Sequence, residues 1–529
     1  DAIVIGSGFG GAMAAQVLVR EGWRVLLLER GDWVDRGAHN WVPEGVGPLT
    51  RFYSAEAPYS VMGNGGPPTA ATFHCVGGPS VFYGGVSLRF READFVPDPE
   101  IIEGSGAAWP FRYDELEPYY TEAERILGVS GAPGTDPTDP PRSAPYPQGS
   151  ADLAPVSRRL ESAARELGLN PFRLPLAIDR KRCLACGTCD GFACAVSAKN
   201  DLATVVIRPL LRNGLRLETN AVVTRLHVRD GKVTGVESVH RETGERTVHQ
   251  APHVFLAAGT LATPHLLLAS GLGRHNPGAD VIGRYLMRHY NEILLGIFPR
   301  RPNPERVFHK QLGIHDFYFG DPASGVRGKL GGLQQLTTPP AGLVRAQLPW
   351  PVGAACAPWV EHLTGWLTIA EDQPRPENRV ELISKTVDRY GLPGLVIRHH
   401  HTARDRAAGQ ALAQRARAIL RRAGAWSVVR HRVGTFSHGV GTVRMGTDPR
   451  TSALDGESRF RGLDNLYIVD GSVMPTSAAV NPSLTIAANS LRAARRLVLR
   501  TRETAIGYRL SAIGPRQRRL GAPGPIADS

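Results

Sequence analysis

The clearest chemical pattern in the sequence lies at its start, in DAIVIGSGFGGAMAAQVLVREGWRVLLLERG (1–31). Gly6, Gly8 and Gly11 form G-x-G-x-x-G between a short apolar run, typical of a buried parallel strand, and a stretch that favours a helix. The first glycine makes a tight turn, the second lets a pyrophosphate approach the backbone, and the third lets helix and strand pack closely. A second apolar run ends at Glu29, whose carboxylate suits ribose hydroxyls. The segment predicts a dinucleotide site, with the helix N-terminus at the phosphates.

A second cluster of reactive side chains is the cysteine-rich stretch RCLACGTCDGFACAVSAKND (182–201), spaced C-x2-C-x2-C-x4-C. Bacterial ferredoxins use C-x2-C-x2-C-x3-C followed by proline, so the last gap here is one residue too long and Ala195 replaces the proline. Three interpretations stay open: an iron–sulfur cluster, a structural zinc site, or thiols or disulfides that pack a loop. We favour the last, because Asp190 adds negative charge where a cluster is already anionic. The four residues concerned are Cys183, Cys186, Cys189 and Cys194.

Bulk composition sets the frame for these sites. A chain of 529 residues is too long for one core, and 42% hydrophobic with 21% charged residues is ordinary for a globular protein. The net charge of +13 is scattered and lacks interleaved aromatics, which favours a solvated arginine-rich surface over nucleic-acid binding. No apolar run reaches the roughly 18 residues of a membrane span. The remaining cysteines, Cys75 and Cys356, are expected to be buried as small apolar side chains.

Few cysteines, mostly in one cluster, do not resemble a secreted disulfide framework, so we expect a cytoplasmic location. The sequence opens directly on a strand without an initiator methionine, so any leader would lie outside it and export is left open.

Hydrophobic periodicity predicts the elements that carry these residues. Helices are expected at 109–129, near 154–168 and over 403–423, and three strand-like stretches (215–228, 232–240 and 247–257) predict a small antiparallel insertion. Residues 286–402 read mostly as strands, 434–500 as glycine-rich and then helical, and 511–529 as a flexible tail.

With these elements in place, the chain resembles the glucose–methanol–choline (GMC) oxidoreductase family, which is built on FAD. The resemblance covers roughly residues 1–500 and rests on several segments in the expected order. They are WPFRYDELEPYY (109–120), GTLATPHLLLASGLG (259–273), IGRYLMRHYN (282–291), SHGVGTVRMG (437–446) and VDGSVMPTSAAVNPSLTIAANS (469–490).

The resemblance implies an α/β fold with a discontinuous Rossmann-like FAD-binding domain and a second, sheet-based substrate-binding domain. The expected limits are 1–90, 175–285 and 430–500 for the FAD-binding domain, 91–174 and 286–429 for the substrate-binding domain, and 501–529 for a C-terminal tail.

The resemblance also implies site residues. His438 matches the family's catalytic histidine in H-x-x-G-T-x-R-M-G, and a neutral imidazole suits the removal of a hydroxyl proton. Asn481 matches the second catalytic position, where it is expected to hydrogen-bond the substrate oxygen. Further cofactor contacts are expected from Gly78, Ser80, Asp470 and Gly471.

Some family members attach FAD covalently through a histidine of the flavin loop. His74 is the candidate here, but it precedes the Gly-Gly pair instead of following it, so packing is the expected role and FAD is expected to bind non-covalently.

The implied reaction is oxidation of a CH–OH group to a carbonyl, with hydride transfer to flavin N5. A sugar, glycoside or polyol is the leading substrate, and a sterol or other bulky hydrophobic alcohol is the alternative. A non-redox hydroxynitrile lyase on the same fold is the alternative from another class. The electron acceptor, oxygen or a redox partner, stays open. Trp350, Trp359 and Trp366 are expected to fill the core of the substrate domain rather than stack on sugars.

Overall fold

The computed structural model describes residues 1–42, 45–54, 59–62, 70 and 72–512. Its α-helices alternate with strands along most of the chain. In order they are α1 (Phe9–Arg20), α2 (Pro99–Ile102), α3 (Tyr113–Ile126), α4 (Pro155–Glu166), α5 (Arg208–Leu211), α6 (Ala262–Ala269), α7 (Ala341–Gln347), α8 (Val352–Cys356), α9 (Ala403–Arg422) and α10 (Ser483–Ala512).

The strands fall into one parallel sheet, one large antiparallel sheet and several small sheets. In order they are β1 (Ala2–Ile5), β2 (Val25–Leu28), β3 (Tyr53–Ser54), β4 (Tyr59–Met62), β5 (Thr72–Phe73), β6 (Ser130–Gly131), β7 (Gln148–Gly149), β8 (Phe172–Arg173), β9 (Arg216–Glu218), β10 (Ala221–Arg229), β11 (Lys232–His240), β12 (Arg246–His249), β13 (His253–Leu256), β14 (Tyr290–Ile297), β15 (Leu312–Ile314), β16 (Gly331–Leu336), β17 (Leu363–Ala370), β18 (Arg379–Val387), β19 (Pro393–Arg398), β20 (Ser427–Arg432) and β21 (Leu466–Ile468).

The parallel sheet has the order β21-β13-β1-β2-β9 and gathers strands from three separate parts of the chain. Its central strand β1 pairs in parallel with both β2 and β13, and all four β1 residues are buried. Helix α1 packs on this sheet and against α10, and Gly10 to Val19 of it are buried. A parallel sheet covered by helices buries both faces, which explains why its strands are continuous apolar runs. The predicted Rossmann-like α/β fold is confirmed.

The large antiparallel sheet has the order β20-β14-β17-β16-β15-β8. One face packs on α4 and α9, where Leu294, Leu333 and Trp366 join Leu160 and Leu412 in a separate buried cluster. The two main sheets therefore have their own cores, as expected for a chain of this length. The exact domain limits stay a prediction.

The structure corrects parts of the predicted antiparallel insertion. β10, β11 and β12 form it, but β9 and β13, at the ends of the predicted stretches, pair in parallel with β2 and β1 instead. The alternation of side chains is the same in both kinds of pairing, so periodicity alone did not separate them.

Between β16 and β17 the predicted strand-rich region contains two helices, α7 and α8, which were not predicted. Trp350, between these helices, is 84% exposed and Trp359, after α8, is 64% exposed, so the core prediction holds only for Trp366. Cys75 is buried as predicted, whereas Cys356 is exposed and that prediction is wrong.

Helix α10 runs on to Ala512, so the described part of the predicted C-terminal tail continues this helix. The rest of the predicted tail, 513–529, lies outside the described residues. Among the described helices none is long and apolar enough to cross a bilayer.

Candidate active site

The two predicted catalytic residues meet at the junction of the two main sheets. His438 lies in the loop after β20, and Asn481 lies just before α10. The Nε2 atom of His438 is 3.2 Å from the Nδ2 atom of Asn481. The Oδ1 atom of Asn481 in turn accepts a 2.6 Å hydrogen bond from the amide of Gln334 on β16. The substrate-domain sheet thus fixes which end of the Asn481 amide faces His438.

A second histidine, His289, sets the tautomer of His438. Its Nε2 atom lies 3.1 Å from the carbonyl oxygen of Ser477, which only accepts, so Nε2 carries the proton. In a neutral ring its Nδ1 is then an acceptor, and this atom is 3.1 Å from Nδ1 of His438. His438 therefore donates through Nδ1 and leaves a lone pair on Nε2, beside the Asn481 amide. This is the tautomer that a base facing Asn481 needs.

Burial keeps both imidazoles neutral. Burial, with the nearby charges of His289 and Lys310, lowers the pKa of His438 to about 3. Burial lowers the pKa of His289 to about 4, although its bond to Ser477 opposes this. His289 is buried and has a backbone φ of 62°, which a non-glycine residue adopts only when its surroundings hold it. Both rings are therefore unprotonated at neutral pH.

Sequence reasoning did not single out His289, Ser477 or Gln334. His289 and Ser477 fall inside two of the motif segments, which is the signal that marks them; Gln334 has no local signal.

The hydrogen bonds from Ser477 through His289 to His438 form what we call the relay. Next to it lies a buried group of Asp372, His399 and His401, in which one ligand-type atom of each residue lies within 4.8 Å of the others. Both imidazoles accept a hydrogen bond from an arginine: Arg432 donates to Nδ1 of His401 at 2.7 Å, and Arg288 donates to Nδ1 of His399 at 3.3 Å. A metal ion here would face two guanidinium charges, so the group does not suit a cation.

The same group supports the relay from behind. The Asp372 carboxylate accepts from the Ser477 hydroxyl at 2.8 Å and from the backbone N–H of Arg288 at 2.8 Å. His401 bonds the backbone carbonyl of His289 through Nε2 at 3.0 Å. These contacts hold the Ser477 carbonyl and the His289 backbone where the tautomer relay needs them.

The glycine motif separates into packing positions and one open position. A side chain on Gly6, where φ is +93°, would overlap the backbone of Ala257, and one on Gly11 would overlap the Gly6 carbonyl. At Gly10 it would overlap the carbonyl of Val469, next to β21. A Cβ on Gly8 would meet nothing within 4 Å. Gly8 lies just before α1 in an extended conformation that any residue can adopt, so what marks this position is the open space around it. The open space at the helix N-terminus fits a pyrophosphate.

Glu29 is buried and already binds protein groups. Its carboxylate accepts from the N–H of Ser7 at 3.0 Å, the hydroxyl of Ser7 at 2.5 Å and the N–H of Gly31 at 2.9 Å. Two carboxylate oxygens offer about four acceptor sites, so one remains for a ribose hydroxyl. Burial raises the pKa of Glu29, and the Ser7 and Gly31 bonds oppose this. Ser7, which was not predicted, also accepts from the N–H of Gly77 at 2.9 Å.

The other predicted cofactor residues shape loops at this edge. Gly78, in the flavin loop, lies against Gly8: a Cβ on Gly78 would be 3.2 Å from the Gly8 Cα. The Ser80 hydroxyl donates to the Gly77 carbonyl at 2.6 Å and accepts from an N–H at 3.0 Å, so it braces the same loop.

Asp470 caps the turn that contains Gly471. Its carboxylate accepts from the N–H of Ser472 at 2.8 Å, the N–H of Gly259 at 2.9 Å and the hydroxyl of Thr263 at 2.5 Å. Asp470 thereby ties the chain after β21 to the turn after β13, since Gly259 and Thr263 lie beyond that strand.

The cysteine-rich loop lies beside the site. Among the described residues no three of its sulfurs lie within 4.8 Å of one another, whereas Zn–S bonds near 2.3 Å would bring them about 3.8 Å apart. All four are free thiols, and burial raises the pKa of Cys189 to about 12. The buried ammonium of Lys199 holds the loop by donating to the carbonyls of Tyr83, Cys189 and Phe192 at 2.6, 2.9 and 2.6 Å. This arrangement does not suit zinc.

Comparison with known proteins identifies the family. Two family models described as GMC oxidoreductase match residues 3–291 and residues 374–490. The chain is 32% identical to a 6'''-hydroxyparomomycin C oxidase of Streptomyces lividus, over 94% of this chain and 90% of that protein. It is 29% identical to a 2-methyl-1,2-propanediol dehydrogenase of Mycolicibacterium austroafricanum, over 93% of this chain and 94% of that protein.

The fold also matches a solved structure. The crystal structure of pyridoxine 4-oxidase from Mesorbium loti superposes with a TM-score of 0.64 and 21% identity, and the match covers 94% of this chain and 98% of that one. One family model alone spans more than half of the sequence, and the structure brings His438 and Asn481 together as the motifs predict. The chain therefore belongs to the GMC oxidoreductase family and is an FAD-dependent enzyme that oxidises a CH–OH group.

Proposed function

We propose that His438 is the general base of this reaction and that Asn481 holds the substrate oxygen. The observation that supports this is the run of hydrogen bonds from the Ser477 carbonyl through His289 to His438, which leaves the lone pair of Nε2 beside Asn481. A substrate hydroxyl that lies to one side of this pair, within reach of both atoms, would give its proton to Nε2 and accept a hydrogen bond from Nδ2. His289 and Ser477 act as positioning residues.

We propose that FAD binds non-covalently, with its pyrophosphate in the open space at Gly8 and a ribose hydroxyl on Glu29. When bound, the flavin supplies the hydride acceptor. His74, the candidate for covalent attachment, bonds the hydroxyl of Thr72 at 3.0 Å, and burial with nearby arginine charges lowers its pKa to about 3. Acid precipitation tests this: all the yellow colour should appear in the supernatant as FAD, and flavin retained on the pellet would contradict the proposal.

The redox reaction and a lyase reaction on the same fold predict different results with alcohols. Anaerobic mixing of the holoenzyme with a panel of sugar, polyol, aryl and aliphatic alcohols distinguishes them, because a dehydrogenation must bleach the flavin and a lyase reaction leaves it oxidised. We expect bleaching, and we expect His438→Ala to abolish most of it while keeping FAD. Whether oxygen or a redox partner reoxidises the flavin is decided by admitting air to the bleached enzyme and timing the return of colour.

We propose that the cysteine-rich loop is structural. The support is the hold of Lys199 on its carbonyls and the lengthened last gap of the cysteine pattern. Protein prepared without oxygen should contain FAD but neither iron nor acid-labile sulfide. Stoichiometric iron and sulfide, with absorbance beyond the flavin bands, would overturn this and favour an iron–sulfur relay.

We also propose a cytoplasmic location, since all six cysteines are free thiols, which suits a reducing compartment. Fractionation of the producing cells, with the protein traced by antibody, tests it; recovery outside the cytoplasm would contradict it.

A further inference from the structure

The six-stranded sheet presents one of its faces to the catalytic pair. The opposite face carries Leu294, Leu333 and Trp366, which pack against α4 and α9. Gln334, the neighbour of Leu333, therefore points the other way, and its amide indeed bonds Asn481. The face that contains Gln334 is thus continuous with the candidate active site.

The register of four consecutive strands, β20, β14, β17 and β16, shows which other residues share this face. β14, β16, β17 and β20 pair without a bulge, and side chains on directly paired residues lie on the same side. Two successive rows extend away from Gln334 across the sheet. The first is Gln334, Leu367, Ile293 and His431, and the second is Leu336, Gly365, Leu295 and Val429.

The side chains of these rows are mostly aliphatic and incompletely covered. Ile293, Leu295, Leu336 and Leu367, which we call the aliphatic wall, are each only partly buried, and the adjoining Val429 is 51% exposed. Apolar surface that remains open beside a catalytic pair is typical of a ligand site.

Fixed charge is missing from this face. On the four described strands, the residues that share it with Gln334 include no Asp, Glu, Lys or Arg. The nearest acid in sequence, Glu292, points to the other side, where it pairs with Arg430. An ammonium group lying on the wall would lose water and meet no carboxylate from these four strands, which is unfavourable.

We propose that the aliphatic wall binds the body of the substrate, and that this substrate is a neutral alcohol with an aliphatic chain instead of an amino sugar. Gln334 and Asn481 orient the reacting hydroxyl towards His438, while the chain lies along Leu367 and Ile293. The proposal rests on the proposed function, since it names the substrate class of the same site. It separates this chain from its relative that acts on 6'''-hydroxyparomomycin C, whose name denotes an aminoglycoside.

The test is a chain-length series on the holoenzyme. Straight-chain alcohols from 1-propanol to 1-octanol are mixed with it without air, beside glucose and glucosamine, and kcat/KM for flavin bleaching is measured. Each added methylene that the wall covers should raise kcat/KM by about fourfold until the wall is filled. Glucosamine should react more slowly than 1-hexanol. Equal rates along the series, or glucosamine ahead of 1-hexanol, would overturn the proposal.

A matched pair of variants locates the effect. Leu367→Asn keeps the size of the side chain and should lower kcat/KM for 1-octanol by about tenfold or more, and for 1-propanol by a smaller factor, because a shorter chain covers less of the wall. Leu211→Asn, on the exposed surface of α5, is the control and should change neither. Should Leu367→Asn misfold, Ile293→Asn on the neighbouring strand makes the same test. An equal fall in kcat/KM for 1-octanol and 1-propanol would contradict binding of the alkyl chain at the aliphatic wall.

Binding is measured separately from turnover, through the change that each alcohol causes in the absorption spectrum of the oxidised flavin. Affinity that rises with chain length, without bleaching, would support the wall and reject the redox function. Bleaching without any dependence on chain length would do the reverse.

Discussion

Removing His289 is the most direct test of how the catalytic base is prepared. In His289→Leu, the Nδ1–H of His438 loses its acceptor, and leaving a buried donor unsatisfied costs about 1–3 kcal/mol. The ring relieves this cost by moving its proton to Nε2, the atom that must accept the substrate proton. A bias of that size leaves roughly 15% to 0.6% of the ring in the productive form, which predicts a loss of about 6-fold to 160-fold in the rate.

The assay is stopped-flow bleaching of the flavin without air, at saturating alcohol, on variants matched for FAD content. His438→Ala should lose about 10²–10⁴-fold, the usual worth of a positioned general base. His265→Leu is the matched control, because His265 is also buried and bonds a carbonyl, that of Pro393 at 2.7 Å, and this bond involves none of His289, His438 and Ser477. It should affect stability but not the bleaching rate.

The double variant distinguishes a relay from two independent effects. If His289 acts only through His438, adding His289→Leu to His438→Ala causes no further loss, because residues that work through one another are not additive. Losses that multiply, or a His289→Leu enzyme that bleaches as fast as the parent, would refute the tautomer argument.

The other predictions test the glycine turn at Gly8, the amide of Asn481 and the buried histidines. Gly8→Ala should fold normally yet lose FAD, whereas Gly10→Ala should fail to fold because its Cβ overlaps the backbone. Circular dichroism measures folding and flavin content measures FAD binding; FAD retained by Gly8→Ala would contradict a pyrophosphate site at Gly8. Asn481→Ala should slow bleaching by only about 2–10-fold, since it removes one hydrogen bond. Asn481→Asp should bleach more slowly still, because a carboxylate repels a developing alkoxide; the reverse order would contradict a hydrogen bond from Asn481 to the substrate oxygen. The lowered pKa values of His289 and His401, about 4 and about 3, mean that the unfolded chain takes up protons first as pH falls below about 6.5. Urea unfolding should therefore show a stability lower at pH 5.5 than at pH 7 by about 1.3 kcal/mol for each ring, and stability that is flat over this range would contradict their burial as neutral groups.

Local patterns in the sequence determined the parts of the protein whose residues are neighbours in the chain. The run from β1 to Glu29 predicts strand, glycine turn, helix and strand, and the parallel pairing of β1 with β2 follows from it. The motif segments around His438 and Asn481 predicted the catalytic pair that we propose, because each segment is recognisable by itself. Fold class and reaction were available from these pieces.

Tertiary structure alone decided how the base is set. Gln334 lies 147 residues before Asn481, and His289 lies 188 residues before Ser477. No period of 2 or 3.6 residues links such positions, since they meet only when the two sheets come together.

The same limit explains the wrong predictions. Trp350 and Trp359 are large and apolar, which favoured the core, but they lie on the segment from α7 to the start of β17, whose neighbours leave them exposed. β9 and β13 lie at the ends of the stretches predicted as insertion strands, yet their partners β2 and β1 come from the first thirty residues. The sequence of one segment determines its own conformation and which residues it offers; which face is covered, and by what, depends on segments far away in the chain.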